Sequence, residues 1–289
     1  MFELTATSIA AQPILAAASA CLGHDVVRWV RGASAGELQR NAAAQLLCCT
    51  QALAAWASLA LHPRDEIVVA GYSVGELASW GCAGVLQPAD VLRLAGLRAQ
   101  AMDAAGGADT SLVAVRGLAR ERLVSLCGEY GCEIAIVLAD DQFIVGGSRA
   151  ELETLSQRAL TSGAQRVTRV PVAIASHTSR LAPASAAFLG ALQATTVTDV
   201  SRGIRLLSGI DGDHVSDVRS GIDKLARQIS QTLDWQACLR ACAEAGVTQV
   251  LELGPGRALA AMAREAIPDA RCRSLEEFRT LEGLRAWLT

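Results

Sequence analysis

Lysine is nearly missing from this 289-residue chain: of 26 basic residues, only Lys224 is a lysine. The arginines form no cluster, and 29 acidic residues bring the formal net charge to −3. That balance argues against nucleic acid as a partner. Guanidinium forks do suit the carboxylate or phosphate groups of a ligand. Nine cysteines include no C-x-x-C pair and no metal-ligand spacing. They read as reduced thiols, mostly small core fillers of a cytoplasmic protein, with no metal site. A targeting segment, an internal repeat and a low-complexity tract are missing as well. Asn41–Pro63 carries no Asp, Glu, Lys or Arg, yet Asn41, Gln45, Thr50, Gln51 and Ser58 interrupt it. A buried core helix fits this stretch better than a membrane span. What the chain does have is apolar content: 51% hydrophobic and 19% charged residues exclude disorder and allow a large core. One large α/β domain, alone or carrying a smaller one, suits this length.

The most informative stretch is Gly71-Tyr72-Ser73-Val74-Gly75, directly after the apolar run Ile67-Val68-Val69-Ala70. A buried strand that breaks at glycine, turns at serine and resumes as a helix is the G-x-S-x-G nucleophile elbow. The turn is strained, and side chains at either flanking glycine are expected to clash. Ser73 is thereby lifted to the end of a sheet, with helix N-terminal amides aimed at developing negative charge.

Helices are expected at about Pro13–Leu22 and Ala35–Leu61, then a strand at Ile67–Ala70 and a helix to about Cys82. Pro88 sits near the start of the next helix, which runs to about Ala104 and carries Arg93 and Arg98. From Ser111 the rhythm changes. Strands at Ser111–Gly117, Glu133–Val137, Phe143–Gly146 and Arg166–Ala173 alternate with helices at Arg120–Glu129 and Arg149–Ser162. This β-α-β-β-α-β order is that of a ferredoxin-like unit. Later come helices at about Pro183–Leu192, Ile222–Leu233 and Gln236–Ala245, strands at Ile204–Leu207 and Gln249–Leu253, and a closing helix after Gly254-Pro255-Gly256. The fold class is therefore α/β. A hydrolase-like large domain (1–107 and 176–289) has a mostly parallel sheet, and 108–175 is an inserted ferredoxin-like small subdomain.

A serine nucleophile needs a base, and there are four histidines. His24, His62 and His214 fall in loop-like contexts expected at the surface, although Asp211 near His214 leaves a Ser-His-Asp reading open. His177 falls where the small subdomain returns to the large one, where a cleft is expected.

Beyond these readings the chain resembles the malonyl-CoA:acyl carrier protein transacylase family, the acyltransferase domains of fatty acid and polyketide synthases. Gly71-Tyr72-Ser73-Val74-Gly75-Glu76 resembles its G-H-S-x-G-E, Cys82-Ala83-Gly84-Val85-Leu86 its C-A-G segment, and Leu97-Arg98 its [ML]-R. Ser176-His177, Gln228 with Trp235, and Glu252-Leu253-Gly254-Pro255-Gly256 follow in the family's order. Within the family the flavour is closest to the transacylase subunit of malonate decarboxylase.

The resemblance implies ping-pong transfer of malonyl from malonyl-CoA to the phosphopantetheine thiol of an acyl carrier protein, without a cofactor. Ser73 would be the nucleophile and His177 its base, oriented by main-chain carbonyl contacts near Gln228. Val74 would offer an oxyanion N–H, and Arg98 would pair with the free carboxylate of malonate.

Three departures from the family pattern stand out. Its opening G-Q-G-x-Q-x-x-G-M strand, whose first Gln supplies a second oxyanion contact, has no match. Met1-Phe2 resembles the end of that motif, which implies a native start roughly ten or more residues upstream, the span of a strand and its loop. Loss of such a donor costs on the order of 10²–10³ in rate. Tyr72 replaces the histidine before the serine, and Leu138-Ala139-Asp140 stands where many relatives carry an Asn. Two other readings are an α/β serine esterase or thioesterase, and an impaired scaffold that only binds a carrier protein.

Overall fold

The computed structural model describes residues 1–61, 66–107 and 109–289. His62, expected at the surface, lies outside the described residues. Four helices open the chain: α1 (Gln12–Leu22), α2 (Val26–Gly32), α3 (Ala35–Leu38) and α4 (Asn41–Leu59). The single helix expected over Ala35–Leu61 is two, because Arg40 takes an extended conformation (ψ 135°) between them. α2 was not foreseen; Asp25 caps it by accepting the Arg28 N–H at 2.7 Å. Then come β1 (Ile67–Val69), α5 (Val74–Cys82) and α6 (Pro88–Ala105).

The next stretch runs β2 (Thr110–Arg116), α7 (Arg120–Tyr130), β3 (Glu133–Ala139), β4 (Gln142–Ser148), α8 (Arg149–Thr161) and β5 (Arg166–Val170). Its antiparallel strands lie in the order β5-β2-β4-β3. Alternation along them separates two faces. Val113, Val115, Val137, Phe143 and Val145 pack with Leu123 of α7 and Leu155 of α8. Leu112, Ile136 and Ile144 face the other way, into a second cluster.

The chain continues through α9 (Ala182–Gln193), β6 (Ile204–Leu206) and α10 (Val218–Arg227). It ends with β7 (Leu233–Asp234), α11 (Trp235–Glu244), β8 (Gln249–Glu252), α12 (Ala258–Ala266), β9 (Arg271–Ser274) and α13 (Leu281–Leu288). The helix expected over Ile222–Leu233 starts earlier and stops sooner. Asp217 caps it by accepting the Ser220 N–H. Leu233 and Asp234 are instead a strand, parallel to β3 and completing a five-stranded sheet. The parallel pairing expected of the larger part is present as two short pairs, β1 with β6 and β8 with β9.

The largest core joins α1, α4, α5, α6, α9 and α10 through residues such as Leu15, Leu47, Leu77, Leu92, Phe188 and Leu225. Among the described residues α4 alone is long and apolar enough to cross a membrane. Two-thirds (67%) of its apolar window is buried within the protein, as a core helix requires.

Candidate active site

β1 delivers the chain to Ser73, which turns it into α5 with φ 53° and ψ −121°. For a non-glycine residue this is a strained conformation that only surrounding packing can hold. Gly71 makes the turn possible: a Cβ there would lie 2.2 Å from the Glu76 backbone. Gly75 does not share the restriction, since a Cβ there would meet nothing within 4 Å. The clash expected at both glycines is therefore confined to the first, because the helix carries Gly75 away from the crossing strand end. The Gly75 N–H donates to Tyr72 O and the Glu76 N–H to Ser73 O. The Val74 N–H has no acceptor among the described residues, so it is the free amide beside the serine.

His177 reaches Ser73 from 104 residues away, and Ser73 Oγ lies 2.9 Å from its Nε2. Its backbone is also left-handed, at φ 62°. Two bonds to the turn after α10 hold it there. Its N–H donates to Ile229 O at 2.8 Å, and its Nδ1 lies 2.5 Å from the main-chain O of Gln228. A carbonyl can only accept, so Nδ1 carries the proton and Nε2 is free to accept from Ser73. Burial, and next the Arg98 guanidinium, lower the imidazole pKa to about 3. The ring is thus neutral throughout the physiological range.

Arg98 comes from the middle of α6 and is only 2% exposed. Its Nη1 donates to Gln45 Oε1 at 2.7 Å and contacts Met102 Sδ at 3.2 Å. Its Nη2 donates to Gln228 Oε1 at 3.1 Å and lies 3.5 Å from Ser73 Oγ. Nε finds no partner among the described residues. No acidic side chain pairs with the guanidinium there, and burial lowers its pKa to about 10, so it remains charged. A buried cation held by neutral amides is electrostatically unfinished, and an anion beside Ser73 would complete it.

Gln228 binds in two ways at once. Its main-chain carbonyl accepts a hydrogen bond from His177 Nδ1–H, and its side-chain Nε2 donates to Ser73 O (2.9 Å) and Glu76 Oε2 (3.2 Å). Gln45 and Glu76 belong to this network, and sequence reasoning did not single them out as site residues. The signals were there: Gln45 is a polar residue inside the charge-free helix, and Glu76 directly follows the elbow. Further polar links run outward, from Gln45 to Asn41 and from Asn41 to Asp103.

Other candidates fall elsewhere. His24 and His214 are exposed, and Asp211 is tied to Lys224 at 2.5 Å. The Ser-His-Asp alternative is thus not assembled. Tyr72 sets its ring edge-on to Trp235, with centroids 5.6 Å apart. Asp140 accepts from Gln236 Nε2 at 2.6 Å. Glu252 of the E-L-G-P-G segment accepts the Leu259 and Ala260 N–H groups, capping α12. Among the described residues no group of three or more His, Cys, Asp or Glu is placed to hold a metal.

The fold, with a serine at a strand–helix elbow against a neutral histidine, has the form of an α/β enzyme of the serine-nucleophile class. More narrowly, the chain belongs to the acyl transferase domain family, whose model matches residues 3–272. It is 29% identical over 274 residues to the malonyl CoA-acyl carrier protein transacylase of Mycobacterium tuberculosis (strain H37Rv), covering 93% of this chain and 89% of that protein. To the protein of the same name from Salmonella typhimurium it is 25% identical, covering 95% of this chain and 90% of that one. The crystal structure of the acyl-carrier-protein S-malonyltransferase from Burkholderia pseudomallei 1710b matches with a TM-score of 0.89 at 28% identity. The match covers 97% of this chain and 93% of that one. The structure of MCAT from Mycobacterium tuberculosis matches at 0.87 and 30% identity, over 95% and 91%.

Proposed function

We propose that the chain transfers a malonyl group from malonyl-CoA to the phosphopantetheine thiol of an acyl carrier protein through an ester on Ser73. The observation that carries this reading is Arg98: a buried, charged guanidinium 3.5 Å from the serine oxygen, without an anionic partner. An acyl group ending in a free carboxylate supplies that partner, and acetyl does not.

In this mechanism His177 Nε2 takes the Ser73 hydroxyl proton as Oγ attacks the thioester carbonyl carbon. The Val74 N–H donates to the tetrahedral oxyanion. Collapse breaks the C–S bond, and the CoA thiolate leaves with the proton from His177. The carrier thiol then gives its proton to the same nitrogen and attacks the ester, which restores the Ser73 hydroxyl. The Gln228 carbonyl stabilises the transient imidazolium in the role a triad carboxylate plays elsewhere. Both half-reactions use one proton site and need no external co-reactant.

The reading includes a hydrolase-like large domain (1–107 and 176–289) and a ferredoxin-like small subdomain (108–175) with the site between them, in a cytoplasmic protein. The finer likeness to the malonate decarboxylase transacylase subunit rests on the sequence motifs alone.

Intact-mass spectrometry after mixing with malonyl-CoA tests the proposal, with Ser73→Ala as control. A malonyl adduct that requires Ser73, and that discharges on addition of phosphopantetheinylated carrier protein, is the expected result. Turnover of neutral esters with no malonyl adduct would favour the esterase reading. Carrier binding with no adduct would favour the scaffold.

A further inference from the structure

Resting on that reading, we propose that Glu76 is a positioning residue for acyl selection: its carboxyl group sets the orientation of the Gln228 side-chain amide and, through it, the Arg98 guanidinium.

A glutamine amide can stand in two orientations related by a flip, and its surroundings select between them. Here one end of the amide faces two acceptors, Ser73 O and Glu76 Oε2. The other end faces Arg98 Nη2, which can only donate. Only the orientation with Nε2 toward Glu76 satisfies all three contacts. Reversed, the amide would turn its NH₂ on the Arg98 guanidinium and its oxygen on the Ser73 carbonyl, and would give up the bond it donates to Glu76 Oε2. Without Glu76, one of the three contacts that select this orientation is lost, and only the Ser73 carbonyl and Arg98 Nη2 remain to oppose the reversal.

The carboxyl group is itself well held. Glu76 is 1% exposed, lies in the first turn of α5, and accepts a backbone hydrogen bond from Gly209. A Cβ on Gly209 would fall 2.6 Å from Glu76 Oε2, so the glycine leaves room for the carboxyl to reach across. Glu76 therefore links the helix that carries the nucleophile to the residue that holds both other members of the site.

The division of labour within Gln228 makes the idea testable. Its main chain serves His177, which every acyl transfer needs. Its side-chain nitrogen ties down the Ser73 carbonyl, and its side-chain oxygen serves Arg98, which only a carboxylate-bearing acyl group needs. Losing Glu76 should therefore damage malonyl transfer more than acetyl transfer.

The experiment measures kcat and KM of the full chain with malonyl-CoA and with acetyl-CoA, using a phosphopantetheinylated carrier protein as acceptor. For Glu76→Leu the malonyl-to-acetyl ratio of kcat/KM should fall about tenfold, the worth of one such hydrogen bond, mostly through a raised KM for malonyl-CoA. Glu76→Gln keeps the shape and an acceptor oxygen, and should hold the ratio within about threefold of the unmodified protein. Gln228→Met removes the amide but keeps the main-chain carbonyl. It should lower the ratio likewise, and the Glu76→Leu/Gln228→Met pair should be no worse than the single changes. If the leucine variant does not fold, Glu76→Asp withdraws the carboxyl by one methylene and serves the same comparison. An unchanged ratio in Glu76→Leu, or a parallel fall for both acyl groups, overturns the assignment. An unmodified protein with no preference for malonyl overturns the underlying reading and takes the assignment with it.

Discussion

Ser73 and His177 meet at 2.9 Å while both hold left-handed backbone conformations, φ 53° and 62°. Of the four described non-glycine residues at positive φ, two are thus the pair whose side chains must touch. Each is fixed from a different direction: the serine by its elbow, the histidine by two bonds to the turn after α10. Local strain of this kind costs on the order of 1–3 kcal/mol per residue and persists only where packing over-determines it.

The neutrality of His177 predicts an unusual acid limb. Burial and Arg98 lower its pKa to about 3, so protonation should not limit formation of the Ser73 ester at pH 5. Stopped-flow acylation rates between pH 4 and 8 should show no fall centred near 6.5. His177→Ala should lose about 10²–10⁴ in rate at every pH in that range.

Arg98→Ala should abolish the preference for malonyl and leave the acetyl rate comparatively intact, with Ser73 esterification read by mass. Arg98→Lys should not rescue it. A single ammonium cannot donate to Gln45 and Gln228 together while also presenting a fork to a carboxylate.

The two glycines of the elbow should respond in opposite directions. Gly71→Ala pushes a methyl into the Glu76 backbone and should cost on the order of 4 kcal/mol or more. Gly75→Ala places its methyl in open space within α5. It should raise stability by about 0.5–1 kcal/mol. Urea unfolding of both variants checks the contrast.

Glu76 should make the fold weaken with alkali. Burial is the main cause that pushes its pKa from 4.5 to about 8, and Asp211 adds to it. Arg98, Gln228 and the Gly209 N–H pull the other way, and Cys238 also faces it. The folded chain thus holds a proton that the unfolded chain releases near 4.5. The associated stability is complete below pH 4.5 and is lost as pH rises through about 8. His177 acts in the opposite sense, but its loss lies below pH 6.5. Between about pH 6.5 and 8.5 the melting temperature should fall, and Glu76→Gln should flatten that slope.

The α/β fold class was legible in the sequence, and Ser73, Val74, Arg98, His177 and Gln228 could be nominated as site candidates, because each has a local signature; the structure places them side by side. The elbow is readable from its strand, glycine and helix, and the others from spacing that matches a family pattern. Gln45 and Glu76 were missed for a physical reason. A buried amide or acid looks like any polar residue on a helix until the partner across the core is known. The same holds for β7: its two residues pair with a strand almost a hundred positions earlier, and nothing local separates them from the end of α10. Gly75 was over-read, since the motif names two glycines where the crossing backbone requires one.

The two-residue strand β7 also limits how this protein can be recombined. Its ladder couples Ile136 to Leu233 and Val137 to Asp234, and Leu233 lies five positions after Gln228. A chimera that exchanges only residues 110–170 would set a foreign β3 against the resident β7. Any misfit in that seam would travel a few bonds to the carbonyl that orients His177. Crossover points for grafted units should therefore lie outside Trp235, so that the seam and the turn leading into it are inherited together.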